Sequence, residues 1–175
     1  MRDLWEAIAL EATAESPLWG ESLLPEAQRE LLAVFSPLGE ERFALGLETI
    51  YEAYLVHFGR PRLFAPVDGD TALLLGDYLY AHGLVRIAAS GEVTAVADLA
   101  ELISLCAQVR AEGRDGDGAL WAATAALLGS GGGLADARTG LRMRGEVAQL
   151  HALACAASGA EVVERALATH AARLR

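Results

Sequence analysis

The sequence predicts an all-α fold, a bundle of about eight helices in one helical domain spanning residues 1–175. Three observations carry this. Ala (35) and Leu (29) supply 64 of the 175 residues, and both are strong helix formers. Val, Ile, Thr, Tyr and Phe are comparatively few, which counts against an all-β fold. Apolar residues recur at helical spacing in segments punctuated by Gly and Pro. With 53% apolar residues, the chain can bury a sizeable core without staples or metals.

The elements follow in order. Residues 3–15 read as an amphipathic helix, with Leu4 and Ile8 at helical spacing. Ser16-Pro17 ends it and can start a short turn. Pro25 suits the first turn of a helix running to about Phe35. Ser36-Pro37-Leu38-Gly39 is a break. A third helix runs from about Glu40 to His57, on the apolar set Phe43, Leu47, Ile50 and Tyr54. Two prolines and two glycines forbid regular structure over 58–69. Asp70 is placed to cap the next helix, about 71–89, which is apolar nearly all round and therefore expected at the centre. Ser90-Gly91 stops it. Another strongly apolar helix covers 93–112. Asp117 is placed to cap a helix over about 118–128. The flexible GSGGG at 129–133 precedes a helix at about 139–157, and Ser158-Gly159 separates that from a last helix ending near Leu174.

Composition excludes several chemistries. All 14 basic residues are Arg, so no Schiff-base or P-loop lysine exists. There is no Asn and hence no N-glycosylation site. A net charge of -10 argues against nucleic acid and against anionic membranes. No apolar run approaches the roughly 18 residues of a membrane span. The first residues carry acids within their apolar stretch, unlike a signal peptide. The expectation is a soluble cytoplasmic protein. Cys106 and Cys155 make neither a disulfide framework nor a zinc site, and are expected reduced, buried and inert.

Five groups of residues could carry chemistry. Asp68-Gly69-Asp70 with Asp77 is the first. Asp70 and Asp77 share a helix face about 10 Å apart, too far for one metal to bridge, and capping accounts for Asp70. Asp115-Gly116-Asp117-Gly118 resembles the start of a calcium loop, but lacks the third acidic position and the closing Glu. It reads as a turn followed by a cap. His57 ends a helix, where a protonated imidazole complements the dipole. No His stands i, i+4 from another metal ligand in the H-E-x-x-H sense, and no metal or cofactor is expected. Arg138 and Arg142 lie i, i+4 and could grip a phosphate, as could Arg60 and Arg62 in the irregular loop. Ion pairs with neighbouring acids are the ordinary fate of such arginines. No crowded carboxylate pair falls on any expected inner face.

Residues 48–91 resemble the central stretch of trans-polyprenyl diphosphate synthases. In that family a helix ends in Leu-(Ile/Val)-His-Asp-Asp-x-x-Asp. An Arg-Arg-Gly-x-Pro loop follows, then a helix opening with Ala-x-Leu-x-Gly-Asp-x-Leu-Leu. Here Leu55-Val56-His57 stands in the first position. Gly59-Arg60-Pro61 echoes the loop, and Ala72 to Ala81, with Gly76-Asp77, matches the helix. The resemblance implies an isoprenoid-synthase-like bundle covering roughly the first half to two thirds of a synthase. It also marks a loss. Phe58 and Gly59 replace the paired aspartates that hold magnesium and the allylic diphosphate, and the second aspartate-rich motif is absent. Ionising such a diphosphate requires those cations.

The expected function is therefore a non-catalytic, synthase-like partner or regulatory subunit of a prenyl diphosphate synthase, inactive alone as a prenyltransferase. The apolar helices at 71–89 and 93–112 suggest a homodimer or a heteromer with such a synthase. The alternatives are an isoprenoid- or lipid-binding module with its polar pole near His57, Asp70 and Asp77, and an all-α homodimer unrelated to synthases. His57, Arg60, Arg62, Asp70, Asp77, Arg138 and Arg142 are the candidate ligand or diphosphate residues.

Overall fold

A computed structural model describes residues 4–174. Asp3, the expected start of the first helix, lies outside them. The described residues form nine α-helices: α1 (Leu4–Glu15), α2 (Pro17–Ser22), α3 (Ala44–Phe58), α4 (Gly69–Ala88), α5 (Val93–Ala111), α6 (Asp117–Ala126), α7 (Ala135–Arg144), α8 (Ala148–Ser158) and α9 (Ala160–Arg173). The all-α bundle is as the composition predicts. No helix among the described residues is long and apolar enough to cross a membrane.

The centre of the bundle is α3. Every residue from Gly46 to Leu55 is buried. One face, carrying Leu47, Ile50, Tyr51 and Tyr54, meets α5, α6, α8 and α9 in the larger core around Trp121 and Phe35. The other face, through Ala53, meets Trp5 and Ile8 of α1, Trp19 of α2 and Leu75 and Leu79 of α4. This corrects the placing of the 71–89 helix at the centre. α4 lies against α3 and turns an apolar face outward, leaving Leu73 55%, Leu74 56% and Val85 64% exposed.

Glycines let α3 and α4 approach closely. A Cβ on Gly83 would penetrate the Ile50 side chain and sit 3.1 Å from the Gly46 carbonyl oxygen, and one on Gly46 would strike Ile87. Gly83→Ala is therefore expected to cost about 1–3 kcal/mol through overpacking, although alanine is the better helix former. Thermal unfolding measures it. An unchanged or raised melting temperature would show that the crossing relaxes freely.

Two helices differ from expectation. The helix expected from Pro25 to about Phe35 is a single 3-10 turn at Glu26–Gln28 followed by irregular chain. Its backbone groups bond elsewhere: Glu30 N–H donates to the Arg62 carbonyl and Val34 N–H to Glu48 Oε1, while at its flanks Leu24 N–H donates to the Leu63 carbonyl and Ser36 N–H to Glu48 Oε1. The helix expected at 139–157 is two, α7 and α8, divided at Gly145 with φ +73°, a left-handed stop that favours glycine. Two caps also move. Asp68, not Asp70, caps α4, accepting from Thr71 N–H at 2.7 Å. Asp117 is the first residue of α6, and its side chain turns inward instead of capping.

Candidate functional site

Two buried polar constellations lie on α3, and of the expected site residues only Arg62 belongs to either. The first contains Glu48, Glu52 and Arg62, all fully buried. This corrects the expectation that no carboxylate pair faces inward. Each carboxylate divides its labour. Glu48 Oε1 accepts from Val34 and Ser36 N–H at 3.2 and 3.0 Å, while its Oε2 accepts from Arg62 Nη1. Glu52 Oε1 accepts from Arg62 and Leu63 N–H at 2.8 and 2.7 Å, while its Oε2 accepts from Arg62 Nε at 2.9 Å. The remaining guanidinium donors go to the Leu32 and Glu48 carbonyls, each at 3.0 Å. The faces of Trp5 and Tyr51 lie against the Arg62 guanidinium at 4.6 and 4.9 Å. Four of the five guanidinium N–H donors are used, and the group is fully buried. This constellation pins two irregular segments to α3 and leaves nothing for a ligand.

The second constellation draws on four helices. Tyr54 Oη of α3 donates to Asp117 Oδ2 of α6. Arg110 of α5 donates through Nε to Tyr54 Oη at 2.9 Å and through Nη2 to the same Asp117 oxygen. His170 of α9 places Nε2 3.4 Å from Asp117 Oδ2, without the direction of a true hydrogen bond, and Nδ1 3.0 Å from Tyr51 Oη. His170 is therefore tied to Tyr51 through Nδ1 and keeps Nε2 beside the Asp117 carboxylate. Phe35 and Trp121 stack at 5.4 Å alongside, and the edge of Tyr51 meets Trp121 at 5.1 Å.

The electrostatics make this a fixed polar anchor. Burial by itself raises the Asp117 carboxyl, but the adjacent His170 imidazole, the Tyr54 donor and the Arg110 charge outweigh it and hold the pKa below the usual aspartate value. Burial, followed by the Asp117 charge, pushes Tyr54 upward, and burial does the same to Tyr51. At neutral pH Asp117 is ionised and both tyrosines are neutral. None of the three exchanges a proton readily under those conditions, so the arrangement suits binding better than acid–base catalysis.

The expected residues are not gathered in one place. Arg62 is the buried ion just described. Arg60 is exposed on the outside of the same loop and paired with Glu30, which also takes Arg173 Nη2 at 2.9 Å. Arg138 and Arg142 do not grip one anion. Arg138 donates to Asp98 Oδ1 at 2.8 Å, and Arg142 pairs with Glu101. Asp70 is exposed in the first turn of α4. Asp77 is exposed, with His57 Nε2 3.4 Å from its carboxylate. His57 stacks on Tyr80 at 5.2 Å, and burial depresses its pKa, with Asp77 opposing. The expected protonated imidazole at a helix end is thus a largely buried one biased toward neutrality. Cys106 is buried, whereas Cys155 is only half-buried, with Sγ 3.7 Å from His151 Nε2.

A signal for the missed constellations exists. Glu48, Tyr51, Glu52 and Tyr54 put polar groups at three- and four-residue spacing on a helix that is otherwise apolar. That pattern marks a buried helix serving two polar clusters. No group of three or more His, Cys, Asp or Glu placed to hold a metal occurs among the described residues. No protein-family model, no curated protein and no solved structure matches the chain.

Proposed function

We propose that this chain is a non-catalytic, polyprenyl-synthase-like helical protein acting as a partner or regulatory subunit of a prenyl diphosphate synthase. The outer face of α4 carries the proposal. The stretch resembling the synthase helix is the one that turns Leu73, Leu74 and Val85 to solvent, with Val67 85% exposed just before it. Exposed apolar side chains on that face, with Asp70 and Asp77 among them, offer a surface for another helical protein. The arginines support the same reading. Arg62, Arg138 and Arg142 already serve carboxylates of this chain, and Arg60 shares Glu30 with Arg173. Binding a diphosphate with them requires breaking those pairs.

Light scattering on size-exclusion fractions tests the proposal, using the chain mixed with a prenyl diphosphate synthase from the same organism. A complex of the two is expected, and the double variant Leu73→Glu/Leu74→Glu is expected to lose it. Both positions are exposed, so the helical circular dichroism stays as in the parent. Failure to associate refutes the subunit reading. Self-association through the same face favours the unrelated homodimer instead.

A further inference from the structure

We propose that a groove at the junction of α5, α6 and α9 binds a small apolar molecule carrying a neutral hydroxyl head. This inference concerns a different part of the molecule from the α4 face and stands independently of the subunit reading. The groove has a volume of about 440 Å³, within the range of roughly 300–1,000 Å³ common for small-molecule sites. Val147, Leu167, Ala171 and Leu174 line it with apolar surface, and Arg110, Asp117 and His170 supply polar groups.

Four observations at the polar floor point to an occupant. Asp117 Oδ2 takes the donors from Tyr54 and Arg110, whereas Oδ1 accepts no hydrogen bond among the described residues. Arg110 uses Nε and Nη2, and its Nη1 makes no hydrogen bond among them either. His170 is almost wholly buried, and its Nε2 lacks a hydrogen-bond partner. Finally, Gly118 lets α6 approach α9 closely at the floor. A Cβ there would lie 3.0 Å from His170 Cδ2 and 3.3 Å from Leu167 Cδ2, and both of those residues line the groove.

The chemistry of the head group follows from charge. At the buried floor Asp117 and Arg110 cancel, and Asp115 stands exposed at the rim, so a charged head gains little attraction from the floor and still loses hydration. A hydroxyl donates to Asp117 Oδ1 and accepts from Arg110 Nη1, using one idle acceptor and one idle donor. The body of the ligand is apolar because the remaining lining is. The larger groove beside α1, lined by Trp5, Leu10 and Leu31 among others, has a volume of about 600 Å³. None of its lining residues has a buried polar atom without a partner.

The test is a titration of the full chain, followed by amide and imidazole NMR, with 1-octanol, octanoate and octylammonium as matched probes. Saturable shifts at Gly116, Gly118 and the His170 ring are expected with octanol. Both charged probes are expected to bind about tenfold more weakly, a difference of about 1.4 kcal/mol. Leu167→Trp fills the groove and Gly118→Ala displaces the His170 and Leu167 side chains that line it, and each is expected to remove the octanol response. Alanine near the start of α6 favours the helix, so the second variant keeps the test valid if the first misfolds. The proposal is overturned if octanol gives no saturable shift, or if shifts appear only around Trp5 and Leu10. Equal affinity for the three heads, or a response that survives both substitutions in folded protein, overturns it as well.

Discussion

Arg62→Met is expected to destabilise the protein by about 3–5 kcal/mol, because it strands two buried carboxylates. Glu48 and Glu52 are fully enclosed, and each directs Oε2 at the guanidinium. Without it, the negative charges face each other and the Leu32 and Glu48 carbonyls lose donors. Urea unfolding followed by circular dichroism measures the loss, and hydrogen exchange locates it. The amides of Val34, Ser36 and Leu63 are expected to lose protection first, because Glu48 and Glu52 hold them. A companion variant separates charge from packing. Arg62→Met with Glu48→Gln and Glu52→Gln retains one carbonyl-type oxygen per side chain for those amides and abolishes the stranded charge. It is expected to recover a substantial part of the stability. A single Arg62→Met within about 1 kcal/mol of the parent would show that water reaches the site and solvates the carboxylates.

Asp117→Ala is expected to cost about 3 kcal/mol, at the lower end of the range for a broken buried pair because Arg110 is partly exposed. The substitution removes the acceptor of Tyr54 and Arg110 and the carboxylate beside His170. Its pH signature is specific. The Asp117 pKa is lower in the folded protein than in the unfolded chain, so the unfolded chain binds the proton more tightly. The contribution of Asp117 is therefore complete above the ordinary aspartate value of about 3.9 and is lost as pH falls toward the folded value. Asp117→Asn removes this titration. The stability difference between parent and Asp117→Asn is expected to be constant at neutral pH and to shrink below about pH 4. Comparing the two proteins cancels the other acid-sensitive pairs, such as Glu11 with Arg86 and Glu30 with Arg173. A difference that stays constant into acid would mean that Asp117 is not held ionised by its neighbours.

The candidate site was only partly visible in the residues. Asp117 attracted notice through its flanking glycines, but as a turn and a cap. What makes it an anchor is Arg110, seven residues earlier, with Tyr54 and His170 from two distant helices. Local spacing records none of the longer-range pairings. The arginines show the converse. Arg138 and Arg142 share the spacing of a phosphate grip, yet Asp98 and Glu101 on α5 claim them one by one. Charge pairing between helices is set by which faces meet, and separation along the chain does not report it.

By itself the sequence determined the all-α class and the rough places of α1, α3, α4, α5, α6 and α9, because helix propensity and Gly/Pro punctuation act locally. Tertiary structure alone decided which helix is central. Hydropathy favoured the 71–89 segment, whereas the 44–58 helix, with two glutamates, is the one buried without interruption from Gly46 to Leu55. Burying those carboxylates is unfavourable until Arg62 arrives from the next loop to neutralise them and complete their hydrogen bonds. The same contacts dismissed the helix expected after Pro25, because Glu48 and the Arg62 carbonyl accept from that segment's amides and the Arg62 guanidinium donates to its Leu32 carbonyl.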